Sequence, residues 1–183
     1  MFREVLGNEL PELRWAGIFR TLRLMELSGE ILTGRFFSGI PGVQFCSRAA
    51  LQELTRPLPE DAIYWVNATD PASPCGLALP DLAPPLPPRV RTTHLVFLGR
   101  QPALISRRSG RQVEIRLAPD HPRFGECLAV FGHLLRRPAQ PLRRVIVEQI
   151  NELDAARSPY AAAFRSAGFQ FEYKSLVLWK SWG

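Results

Sequence analysis

The stretch from Trp15 to Phe45 constrains the fold more than any other part of the chain. Apolar residues at Trp15, Ile18, Phe19, Leu22 and Met25 recur with the 3.6-residue period of a helix, leaving Arg20, Arg23 and Glu26 off the stripe. This spacing predicts a helix over 13–28, stopped by Gly29, because glycine accepts the left-handed backbone that ends helices. A glycine-edged hairpin follows at once, running out over Gly29–Gly39 and returning at Val43–Phe45. Ser47 then caps a second helix, Arg48–Thr55, which Pro57 ends.

A helix running straight into a β-wing is the pattern of a winged helix, which commonly presents one basic helix and one basic loop to nucleic acid. Charge agrees with that use: the 183 residues carry a net charge of +6, which favours an anionic partner. All of the basic residues except Lys174 and Lys180 are arginine. Guanidinium forks match phosphate oxygens in pairs, although a GC-rich coding sequence writes the same bias. Candidate phosphate contacts are Arg20, Arg23 and Arg35 on the helix and wing, beside Arg14, and Arg107, Arg108 and Arg111 around the Ser109-Gly110 turn. A solvated polar face is the alternative for each set. Arg136, Arg137, Arg143 and Arg144 flank a proline-bearing loop, where the first two equally complement a helix C-terminus.

From Asp61 the pattern turns to strands. Ile63–Val66 is a short apolar strand, and 70–89 holds seven prolines, the signature of an irregular strap. Strands at 93–98 and 102–107 form a hairpin through Gly99, and Gln112–Leu117 alternates apolar and polar residues. Asp120 begins a helix to Arg137 whose apolar face is Phe124, Leu128, Phe131 and Leu135. A strand over 144–150, a helix starting at Ser158-Pro159 and closed by Gly168, and a terminal hairpin complete the chain. Phe169, Phe171 and Tyr173 are expected on one strand face, and Trp15 and Trp179 in the core. The expected class is α+β: a partial winged helix, then a mainly antiparallel β-sheet or small barrel with two packed helices. The divisions are a winged-helix-like segment at 1–56 beginning with a helical stub at 2–10, a proline-rich strap at 57–90, and a barrel-like domain at 91–183.

Cys46, Cys75 and Cys127, like His94, His121 and His133, are too scattered for a zinc or disulfide framework. Apolar runs are too short for a membrane span, and no signal-peptide pattern follows Met1, so a cytoplasmic protein without a membrane partner is expected. The abrupt start inside a helical pattern suggests a piece of something longer. Asp70, Asp154, Glu148 and Glu152 are isolated carboxylates, better suited to turns and caps than to catalysis.

Leu22–Ile31, Gly34–Gly39 and Gln44-Phe45 resemble, in order, a stretch of the Lhr-type helicases, large helicase-related proteins of superfamily 2. Ala68–Pro71, Val145–Ile150, Ser158-Pro159 and Ala167–Phe169 extend the resemblance over nearly the whole chain. It implies the winged-helix-plus-barrel domain that follows the two motor domains of a DEAD/DEAH-box, 3′-to-5′ ATP-dependent helicase. The chain has no G-x-x-x-x-G-K-[ST] phosphate loop, so ATP and Mg²⁺ are implied only for the parent motor and no cofactor for this chain. The implied partners are single-stranded DNA or an RNA:DNA hybrid, and the motor domains themselves. The domain is also similar to AlkZ-like DNA glycosylases, but their Gln-x-Gln pair does not occur here. No catalytic residue is therefore assigned. A glycosylase-like DNA-repair domain and a structural bracket for the motor are the alternative functions.

Overall fold

The computed structural model describes residues 1–3, 6, 11–76 and 86–180. Most of the expected stub at 2–10, and the centre of the proline-rich strap, lie outside the described residues. The chain divides into two units, Met1–Pro57 with Pro74–Pro87, and Leu58–Ser73 with Pro88–Gly183.

In the first unit, helix α1 (Trp15–Leu27) leads into strands β1 (Ile31–Gly34) and β2 (Gln44–Ser47), then helix α2 (Arg48–Leu54). The end of α1 is a Schellman closure: Gly29, at φ +82, donates to the Glu26 carbonyl, and Glu30 donates to that of Met25. β1 and β2 are antiparallel, from Ile31 opposite Ser47 to Gly34 opposite Gln44. The hydroxyl of Ser47 accepts from the Ala50 amide at 3.1 Å, the N-cap expected of that serine. The stripe on α1 holds, but no α1 residue is fully buried. Its anchor is aromatic: Trp15, Phe19 and buried Phe45 meet with ring centroids 5.5–5.9 Å apart.

The second unit holds an open six-stranded sheet and a three-stranded one. β3 (Ile63–Asn67), β4 (His94–Leu98), β5 (Gln101–Arg107) and β6 (Gln112–Ile115) are antiparallel neighbours in that order. Helices α3 (Phe124–Cys127) and α4 (Ala129–Arg136) follow, then β7 (Arg144–Val147), β8 (Gln149–Ile150) and β9 (Leu153–Asp154). β8 returns to the six-stranded sheet parallel to β6, and β9 completes it. Helix α5 (Ala161–Ser166) precedes the hairpin of β10 (Gln170–Glu172) and β11 (Ser175–Trp179), which joins β7 in the order β10-β11-β7. The class is α+β, and the sheet alternative holds over the barrel: β3 and β9 are edges rather than partners.

The core lies among these sheets and helices. β4 and β5 are buried at four consecutive positions each, so both of their faces are covered. Phe124, Phe131, Leu128 and Leu135 are buried as the helical spacing requires. Phe131, Phe164 and Phe169 form a mesh with centroids 5.0–5.9 Å apart. Full burial contributes about 1.5–3 kcal/mol for each such side chain.

Four expectations need correction. The helix over 120–137 starts only at Phe124, beyond Pro122, and breaks into α3 and α4 at Leu128. The strand over 144–150 serves both sheets: buried positions run Val145, Val147, then Ile150, so the period of two slips by one residue. At the slip, the Glu148 and Gln149 amides both donate to the Arg111 carbonyl at 2.9 and 3.0 Å, as in a β-bulge. Tyr173 does not share a face with Phe169; it sits at the tip of the β10–β11 turn with φ +58 and is 94% exposed. Trp179 is no core residue either. It ends β11 opposite Arg144, whose guanidinium covers its ring at 5.0 Å, and its Nε1 donates to Glu172 Oε1.

Candidate nucleic-acid interface

The wing is organised by one side chain. Gln44 is fully buried where β2 begins, and its amide makes four hydrogen bonds to the loop over 35–43. Its Oε1 accepts from the amides of Phe36 at 2.8 Å and Phe37 at 2.9 Å. Its Nε2 donates to the carbonyls of Phe37 at 2.9 Å and Ile40 at 3.1 Å. Both faces of the carboxamide are thereby used, which explains glutamine at this position: no other side chain of its length is both donor and acceptor without charge. The pinned loop carries Arg35, exposed and with no ion-pair partner among the described residues.

On α1, Arg20 and Arg23 are three residues apart and therefore share one helix face, opposite the apolar stripe. Arg23 pairs with Glu26 on that helix, whereas exposed Arg20 and Arg14 have no such partner among the described residues. This pair is exposed and contributes little, on the order of 0.3–0.5 kcal/mol, so a phosphate can displace it. Among the described residues of the first unit, Arg3, Arg14, Arg20, Arg35 and, at the start of α2, Arg48 have no ion-pair partner; the place of Arg48 in the sequence pattern marks it only as a helix residue.

In the second unit the three expected arginines are divided. The turn after β5 is a tight 3₁₀ turn, with Arg108 at φ +51 and Ser109 at φ +56. Gly110 is required there: at φ +102, a Cβ would lie 2.5 Å from Val145 Cγ1. Arg107 Nη2 donates to Glu114 at 2.8 Å, and Arg111 Nη1 to Glu148 at 2.5 Å. Burial would push the Glu114 carboxyl up, but hydrogen bonds from Arg107 and Arg116 outweigh it and hold the group below the usual carboxylate range. Only Arg108 of the three keeps an unpaired guanidinium among the described residues. No cluster of metal-ligating side chains occurs among the described residues.

Residues 1–66 match the family model of the winged-helix domain of large helicase-related proteins. That match covers the N-terminal third of the chain. Over 171 residues, 88% of the chain, it is also 29% identical to the Lhr helicase/uracil glycosylase of Escherichia coli (strain K12). The chain spans about a tenth of the length of that relative, 11%. Within the matched segment, the residues that resemble Lhr-type helicases have structural reasons. Gly29 closes α1, Gln44 pins the wing and Phe45 anchors the aromatic cluster. The match ends inside β3, which pairs with β4 in the second unit. Among the described residues, no helix is long and apolar enough to cross a membrane.

Proposed function

We propose that this chain is a nucleic-acid-binding accessory part of an ATP-dependent helicase of the large helicase-related kind. The observation that carries the reading is the pairing of a pinned wing with unpaired guanidinium groups: Arg35 on the wing, and Arg20 on the exposed face of α1. A loop fixed by four hydrogen bonds presents its cation without having to be ordered on binding, which lowers the entropic cost. Phosphate contacts of this kind position a strand without reading its bases. ATP and Mg²⁺ would act in the motor domains, while this chain holds single-stranded DNA or an RNA:DNA hybrid behind them.

The test is anisotropy titration of labelled single-stranded DNA and hybrid across a salt series. The double variant Arg20→Gln/Arg35→Gln should weaken binding and flatten the salt slope by about 0.7 for each single-strand phosphate that is no longer neutralised. Arg107→Gln serves as control, because its guanidinium is held by Glu114. An unchanged slope in the double variant would remove the reading.

A second reading takes its support from the name of the Escherichia coli relative, which includes a uracil glycosylase. In this reading the chain contributes to base excision. Incubation with uracil-containing strands followed by alkali exposes abasic sites; intact strands would dispose of it.

A further inference from the structure

The second unit contains an open cavity of about 1110 Å³ that the wing and α1 take no part in. Its walls come from β3 and the turn after it, from the approach to β4, and from α4 with the loop that follows. Two guanidinium groups converge on one neutral residue there. Arg91 donates to the Gln140 side-chain oxygen, and Arg137 Nε donates to the Gln140 carbonyl at 3.0 Å. Gln140 itself sits at φ +49, a left-handed backbone that costs a non-glycine residue free energy and often marks a functional site. Neither arginine has an ion-pair partner among the described residues. Asp70 is the acid lining the cavity, and its Oδ1 accepts from the Ala72 amide at 2.8 Å within its own turn. Like charges gathered around a neutral residue repel one another unless an anion joins them.

The remaining wall is aromatic and polar. Trp65 and His133 meet with centroids 5.8 Å apart and both line the space. His94, another lining residue, is buried, and its Nε2 lies 3.0 Å from Asn67 Nδ2. The orientation of Asn67 is fixed, since its Oδ1 accepts from the Thr69 amide and hydroxyl. His94 therefore carries its proton on Nδ1, and that buried donor has no acceptor among the described residues. Two guanidiniums without ion-pair partners and an aromatic wall thus share one open cavity that His94 also lines.

We propose that this cavity binds a nucleoside phosphate, with Arg91 and Arg137 holding the phosphate and Trp65 facing the base. The phosphate chemistry is common to a free mononucleotide and to the phosphorylated end of a strand. The proposal deepens the nucleic-acid reading and, in the strand-end case, rests on it. It involves no bond cleavage.

The full chain is titrated with thymidine monophosphate, thymidine and inorganic phosphate, read by calorimetry and by tryptophan fluorescence. The monophosphate should bind at least tenfold more tightly than either thymidine or inorganic phosphate. Arg91→Gln and Arg137→Gln should each weaken it about tenfold, with unchanged thermal melting, and Arg91→Lys should restore part of the affinity. Trp65→Phe should abolish most of the fluorescence response. Competition by a 5′-phosphorylated oligonucleotide, but not by its dephosphorylated form, identifies the strand end; competition by neither identifies the free nucleotide. No saturable binding of the monophosphate, equal binding of inorganic phosphate, or indifference to both glutamine variants would overturn the proposal. Arg20→Gln/Arg35→Gln should leave mononucleotide binding intact, so failure here and failure of the strand-holding reading are separable.

Discussion

Replacing Gln44 tests whether the wing is held in the way its geometry indicates. Gln44→Met keeps the volume and removes all four hydrogen bonds, stranding two amides and two carbonyls over 36–40. At about 0.5–1.5 kcal/mol per bond the loss would be roughly 2–6 kcal/mol. Phe37, Ser38 and Gly39 are exposed, so water recovers part of it, and about 3 kcal/mol is expected. A unit of this size buries little surface to spare, so such a loss is a large fraction of its stability. Urea unfolding should show it in the phase reported by Trp15, which packs on Phe45 beside Gln44. Amide exchange at Phe36 and Phe37 should accelerate about a hundredfold, the same free energy at about 1.4 kcal/mol per factor of ten. Gln44→Glu separates the two halves of the argument. Its carboxylate still accepts from both amides but cannot donate to the carbonyls, so its stability should recover partly as the pH falls and the carboxyl gains a proton. A Gln44→Met protein within about 0.5 kcal/mol of the parent, with Phe36 and Phe37 still protected, would refute the account.

The cavity histidine links stability to pH. Burial, then the charges of Arg137 and His133, hold His94 at about 4, against an ordinary value of 6.5. The unfolded chain therefore binds the extra proton first, so stability is constant above pH 6.5 and is lost as the pH falls from there through 4. The full shift corresponds to about 3 kcal/mol, which screening by solvent reduces to roughly 1–2 kcal/mol. Urea midpoints over that range should show the decline, and His94→Gln should flatten it; an identical slope in the variant would refute the assignment. Gly110→Ala brings a Cβ to 2.5 Å from Val145 Cγ1 at a left-handed backbone, and should cost roughly 2–4 kcal/mol in thermal melting of the second unit. A loss below about 0.5 kcal/mol would show that β7 yields freely.

What the sequence determined by itself is what a few neighbouring residues decide among themselves. The α1 stripe, the stop at Gly29, the cap at Ser47, the hairpin of β4 and β5 through Gly99 and the buried face of α3 and α4 depend on spacing and backbone preference within a turn or two. The motif residues around the wing were legible too, but not what Gln44 does, because its role depends on how the loop folds back on it. Tertiary structure alone decided which arginines are free. Arg111 meets Glu148 across 37 residues, and no periodicity in either segment announces that pairing. It also decided that 144–150 splits between two sheets, since an extended run looks the same whichever neighbour it pairs with. The cavity is the extreme case: Asn67 reaches the Arg91 carbonyl across 24 residues, and Arg91 meets Gln140 across 49. Local chemistry sets the shape of each segment, whereas a site assembled from three distant segments exists only once the core has brought them together.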